Sequence, residues 1–160
     1  MIAVVLVAGV GVYVYQWSRR GMQPTITAAE GARRAEEYVR QAAAHLPAHA
    51  RLVDTGSEEI STSPCDLPSD HGAQGRVQVS VGYQIHDLDP AKFNEYFDAL
   101  HGFWTRNGYK VLHDSRPKDW YLWVQQEPDE FRFSLEGNDL GELYLGGVSP
   151  CLWPNGTPPS

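Results

Sequence analysis

Basic side chains are scarce in this sequence. Lys92, Lys110 and Lys118 are its only lysines, and 13 Lys and Arg stand against 20 Asp and Glu, for a formal net charge of −7 over 160 residues. Without the first 20 residues, Arg19 and Arg20 go, leaving 11 basic against 20 acidic residues, or −9. A domain this acidic, with no basic run, repels phosphate backbones, which argues against a nucleic-acid partner. Motifs for chemistry are equally sparse. There is no G-x-S-x-G elbow, no glycine-rich phosphate loop after a strand, and no cysteine placed at a helix start. Cysteine occurs twice, and no internal repeat is visible.

The apolar material present is that of an ordinary globular domain: 42% hydrophobic and 11% aromatic residues. Such a chain can bury a core without a metal or many disulfides. The first 17 residues, MIAVVLVAGVGVYVYQW, carry no charge. As a helix they would be ~25 Å long, close to the ~30 Å bilayer core. Tyr13, Tyr15 and Trp17 sit where an interfacial aromatic belt would lie, and Ser18-Arg19-Arg20 ends the run. Residues 1–17 are therefore read as an uncleaved membrane anchor, with the membrane contacted through residues 2–17. A cleaved signal needs a charged leader and a small-x-small cleavage site, and the bulky YQWSRRG stretch fits neither. A buried soluble helix is the remaining alternative. No cysteine near position 20 is available for lipid attachment.

The flanking charges point one way and the cysteines the other. Arg19 and Arg20 follow the span, which by the positive-inside rule places the domain in the cytoplasm. An apolar run that opens at Met1 suggests a short basic leader ahead of it. Cys65 and Cys151 both follow Ser-Pro in loop-like sequence, with another proline three residues on. Their matched turn contexts, one early in the domain and one at its end, suggest a stapling disulfide and an oxidising, extracytoplasmic compartment. Free thiols or a catalytic or metal-binding cysteine are the alternatives.

Beyond a tether at 18–26, residues 27–153 read as one α+β domain, with 154–160 a disordered tail. Thr27 and Glu30 form a capping-box pattern before Ala28–Leu46, whose Ala32, Ala35, Tyr38, Val39, Ala42 and Leu46 recur at helical spacing until Pro47. A short strand is expected over 51–55, then a long polar loop over 57–74. Val77, Val79, Val81, Tyr83 and Ile85 alternate with Gln78, Ser80, Gly82 and Gln84, the pattern of a half-buried strand. Asp89-Pro90 opens a second helix with Phe93, Tyr96, Phe97, Leu100, Phe103 and Trp104 on one stripe, stopped by Gly108. Four strands follow, at 109–113, 120–126, 131–136 and 142–148, joined by short breaks. The expected order is α-β-β-α-β-β-β-β, an antiparallel meander with both helices on one face.

The capped helix with E-x-Y-V, the loop cysteine, the F-W-T-x-N-G-Y helix end, the D-S-R-P turn and the closing S-P-C-x-W-P-N-G resemble a group of uncharacterised membrane-anchored or secreted actinobacterial proteins. The resemblance spans nearly the whole chain. It implies an anchored or exported α+β domain and carries no activity with it.

Each polar cluster has a local explanation. Cys65 and His71 lie in one loop but fit a disulfide beside an exposed histidine. His45 and His49 have Pro47 between them, which breaks the helix a ligand pair would need. Asp66, Asp70 and His71 lack the ligand number and glycine-fixed loop of a Ca²⁺ site. His113-Asp114 lies at a strand end, and His86 and His101 have no evident partner. Asp87, Asp89, Asp129 and Glu130 suit caps and turns better than glycoside hydrolysis. No catalytic residue, metal ligand or cofactor site is assigned.

The aromatic strand is the most suggestive feature. Trp120, Leu122 and Val124 share one face; Tyr121, Trp123 and Gln125 share the other. With helices on one side, Tyr121 and Trp123 (or Trp120) would be exposed as a candidate partner surface, unless loop 57–74 covers them. The expected function is a non-enzymatic binding or accessory module of the cell envelope, contacting an envelope protein or ligand. A hydrolase with a dispersed site is the alternative.

Overall fold

A computed structural model describes residues 22–55, 61–65 and 73–159. The anchor expected at 1–17 lies outside them, and among the described residues no helix is long and apolar enough to cross a membrane.

Helix α1 spans Ala28–Ala43, and Thr27 caps it by accepting from the Glu30 N–H at 3.1 Å. The Glu30 carboxylate turns to Arg33 and Arg34 rather than back to the cap, so only half of the expected capping box forms. Helix α2 spans Phe93–Arg106 behind a 3₁₀ turn at Pro90–Lys92, where Asp89 accepts from the Ala91 N–H at 3.0 Å. Its six expected apolar residues are all buried. Gly108, at φ 78°, takes the left-handed conformation that ends it.

Seven strands form one antiparallel sheet among the described residues: β1 (Arg51–Asp54), β2 (Ser61–Pro64), β3 (Val77–His86), β4 (Lys110–Asp114), β5 (Tyr121–Gln125), β6 (Arg132–Gly137) and β7 (Leu143–Val148). The class is α+β, and both helices bury their apolar stripes on one face. Ala35, Val39, Phe97, Leu100 and Trp104 meet Leu122, Val124, Phe133, Leu135, Leu143 and Leu145 in a single core.

Three features depart from the sequence reading. Strand β2 lies inside the expected loop 57–74. Its four residues are all exposed, so no hydrophobic alternation marks it. It exists because β3, ten residues long, outruns β1 and leaves edge groups that Ser61–Pro64 pair. The strand order is β1-β3-β7-β6-β5-β4, so only β4 to β7 form a meander. Strand β3 pairs with β7 rather than following the chain. The stretch after Trp153, expected to fray, is hydrogen-bonded to the tether. Thr25 N–H donates to the Gly156 carbonyl at 2.9 Å, and Ala28 N–H to that of Pro154 at 3.1 Å. Trp153 is buried, with its indole N–H donating to the Gln23 carbonyl at 3.1 Å.

Candidate functional site

Cys65 and Cys151 are disulfide-bonded, with Cα atoms 6.0 Å apart and a sequence separation of 86 residues. Leu152, the next residue, bridges to Val77, so the bond ties the end of β2 and the C-terminal segment to the start of β3.

The aromatic strand is split between two environments. Trp120 turns inward, its ring 5.7 Å from that of Phe93 and 5.4 Å from that of Phe97. Leu122 and Val124 are fully buried beneath the helices. Tyr121 and Trp123 lie on the opposite face, which carries neither helix. Trp120 is thus separated from the other two residues of the candidate surface.

The strand pairing shows what surrounds Tyr121 and Trp123. Along one transverse row Gly82 is paired with Gly146, Gly146 with Ser134, Ser134 with Trp123, and Trp123 with His113. The row one step along places Gln84, Tyr144, Glu136 and Tyr121 side by side, and the row on the other side Ser80, Val148, Arg132 and Gln125. Gly82 and Gly146 contribute no side chain, so the middle row is a trough low over β3 and β7; the Thr55 hydroxyl, donating to the Gly82 carbonyl at 3.1 Å, borders it at one end, and Ser134 leads to Trp123 at the other. Neighbouring strands lie ~4.8 Å apart, making it about 14 Å from Gly82 to Trp123.

The groups along this trough are mostly neutral. Arg132 lies over the Trp123 ring at 5.7 Å and donates to Gln125 Oε1 at 3.0 Å. Tyr144 donates to Glu142 Oε2 at 2.9 Å, as does Asn138 Nδ2 at 2.7 Å, and these bonds hold the Glu142 carboxyl below the usual range. The same bond raises the Tyr144 phenol. Burial, then the Glu136 charge, raises that of Tyr121. Among the described residues the Ser80 and Ser134 hydroxyls, the Tyr121 hydroxyl and the Trp123 indole N–H have no hydrogen-bond partner.

A second concavity, a cleft of about 340 Å³, is lined by Gln23, Thr25, Arg34, Asp129, Glu130 and Cys151 among others. Its main acid is already engaged: Asp129 accepts from the Tyr38 hydroxyl at 3.0 Å and faces Arg34 at 3.5 Å. Arg34 also donates to Glu30 at 3.0 Å.

The remaining polar residues are dispersed. His45 stacks on Phe103 at 4.2 Å. Asp114 is held by Arg116 at 2.6 Å, and Asp87 accepts from Arg51 at 3.1 Å. His71, Asp66 and Asp70 lie outside the described residues, and no group of three potential metal ligands occurs among the described ones. The S-x-x-K spacing of some acyl-transferring serine enzymes, expected to be absent, is present as Ser115-x-x-Lys118. Here Ser115 Oγ donates within a turn to the Asp119 and Tyr121 carbonyls, and no hydrogen bond links it to the Lys118 amine. The trough was also missed, because its two glycines are marked as a site only by their pairing.

The fold and this face define an α+β domain whose helices cover one face of the sheet and leave an aromatic-bordered face that carries neither helix. Compared with protein-family models, with curated proteins and with solved structures, the chain matches none.

Proposed function

We propose that this chain is a binding or accessory module of the bacterial cell envelope, anchored in the membrane by residues 2–17, with its domain on the extracytoplasmic side. The helix-free face of the sheet is its contact surface for an envelope protein or ligand. One observation carries this reading: Tyr121, Trp123 and Tyr144 stand half-buried on a sheet face that neither helix covers. Aromatic side chains are costly to leave wet and supply much of the contact energy where a partner covers them. The disulfide supports the compartment, since such bonds persist where the environment is oxidising.

Site-specific photocrosslinking in intact cells tests it. A photoreactive residue at position 121 gives a discrete adduct that Trp123→Ser weakens, whereas one at Glu37, on the exposed side of α1, gives none. Equal adducts from both positions, or none from either, would count against the face.

A further inference from the structure

We infer that the transverse trough binds an uncharged glycan strand, lying across β3, β7 and β6 and ending at Trp123. This inference rests on the reading of the helix-free face as a contact surface and names what that face takes.

The argument begins with the floor. Gly82 and Gly146 are paired across β3 and β7, and neither has a positive φ, so backbone conformation alone does not demand glycine at either position. A Cβ on Gly146 would meet the Val81 carbonyl oxygen at 3.4 Å and Ser134 Oγ at 3.6 Å, which is ordinary contact. Neither crowding nor strain therefore requires Gly146. Gly147, one residue on, is different: its Cβ would meet Phe133 at 2.7 Å. What the absent side chain of Gly146 provides is depth, letting a ligand reach the sheet backbone.

The lining then selects the chemistry. The groups left without hydrogen-bond partners are two serine hydroxyls, a phenol and an indole N–H, with one exposed carboxylate, Glu136, in the neighbouring row. Hydroxyls both donate and accept, as sugar hydroxyls do. Cations that an anionic ligand would need are few: Arg132 is committed to Gln125 and Trp123, and Glu136 and Glu142 oppose it. A protein partner would look for apolar pockets at the centre of the patch, and the centre here is glycine and serine. The aromatic bodies of Tyr144, Tyr121 and Trp123 border the trough and offer flat surfaces to the C–H faces of sugar rings, while hydroxyls at the ring edges reach Ser80 and Ser134. About 14 Å of length, three inter-strand spacings, suits an oligosaccharide rather than a single sugar.

The test uses the full chain in a detergent without sugar headgroups. Three neutral hexasaccharides are titrated: a β-1,4 N-acetylglucosamine hexamer, a β-1,3-glucan hexamer and maltohexaose. Binding is read from the indole N–H resonances and from affinity. At least one hexamer binds, shifting the Trp123 signal and not that of Trp104. Trp123→Ala and Gly146→Val each weaken it about tenfold or more, the loss of roughly one aromatic contact. Ser134→Ala keeps the fold in reserve should Gly146→Val disturb it, and weakens binding less. If a hexamer binds but all three variants bind as well as the native chain, the trough assignment fails. If no hexamer binds while position 121 still crosslinks to a protein in a Trp123-dependent way, the glycan assignment fails and the contact surface stands. If neither occurs, both fail.

Discussion

Thr25 accepts a hydrogen bond from the backbone N–H of Trp153 at 2.8 Å, joining the segment before the first helix to the end of the chain. With the indole N–H of Trp153 on the Gln23 carbonyl, the entry and exit of the domain form one packed unit. Trp153→Ala is expected to cost about 3–5 kcal/mol, as for other buried tryptophans. Urea unfolding of the variant measures it; a loss below about 1 kcal/mol would show that the terminal segment is not part of the cooperative unit.

The disulfide closes a separation of 86 residues. On the chain-entropy model such a loop is worth roughly 4–5 kcal/mol. Cys151→Ser, or reduction, should lower the unfolding midpoint accordingly. In intact cells a membrane-impermeant maleimide should label neither cysteine until reductant is added. Labelling before reduction would remove both the bond and the argument for the extracytoplasmic side.

Adjacent glycines in β7 should respond oppositely. Gly147→Ala drives a methyl toward Phe133 at 2.7 Å and Val39 at 3.2 Å, and is expected to destabilise by about 1–3 kcal/mol. Gly146→Ala points to the helix-free face, where its methyl meets only ordinary contacts, and should stabilise by roughly 0.5 kcal/mol through lost chain entropy. Thermal unfolding of the pair decides it, and equal shifts would contradict the assignment of faces.

Arg116 holds Asp114 at 2.6 Å and Asp98 at 2.8 Å, and its hydrogen bond to Asp114 keeps that carboxyl below its usual range. A depressed folded value contributes stability that is present above the ordinary carboxylate pKa, ~3.9, and is lost as pH falls through the folded value. Arg116→Met should cost about 1–2 kcal/mol at neutral pH and flatten the stability curve below about pH 4. An unchanged acid limb would exclude this pair as its source.

Tyr109 is buried against Phe103 and Phe133, and burial, followed by the charges near Tyr38 and Asp129, pushes its phenol up to about 12. A raised folded value gives stability that is complete below the unfolded pKa, ~10, and declines as pH rises through the folded one. Tyr109→Phe keeps the ring contacts and should reduce the loss of stability between about pH 10 and 12. Alkaline unfolding that is the same in both proteins would assign the effect elsewhere.

Much of the architecture was legible locally. The stripe from Phe93 to Trp104, the alternation from Val77 to Ile85 and the inward pairing of Leu122 with Val124 are set by the 3.6 and 2.0 residue periods of helix and strand, and all appear in the fold. The matched turn contexts of Cys65 and Cys151 also anticipated their bond. Periodicity says which residues of one strand share a face, but it is silent on which strand lies beside which. That choice is a competition among distant segments for the same backbone donors and acceptors. It set β3 against β7, recruited the exposed Ser61–Pro64 to the spare half of β3, and sent Trp120 to Phe93 and Phe97 while Trp123 faced outward. The trough exists only through that choice: Gly82 and Gly146 are distant in the chain and become one feature when β3 and β7 pair.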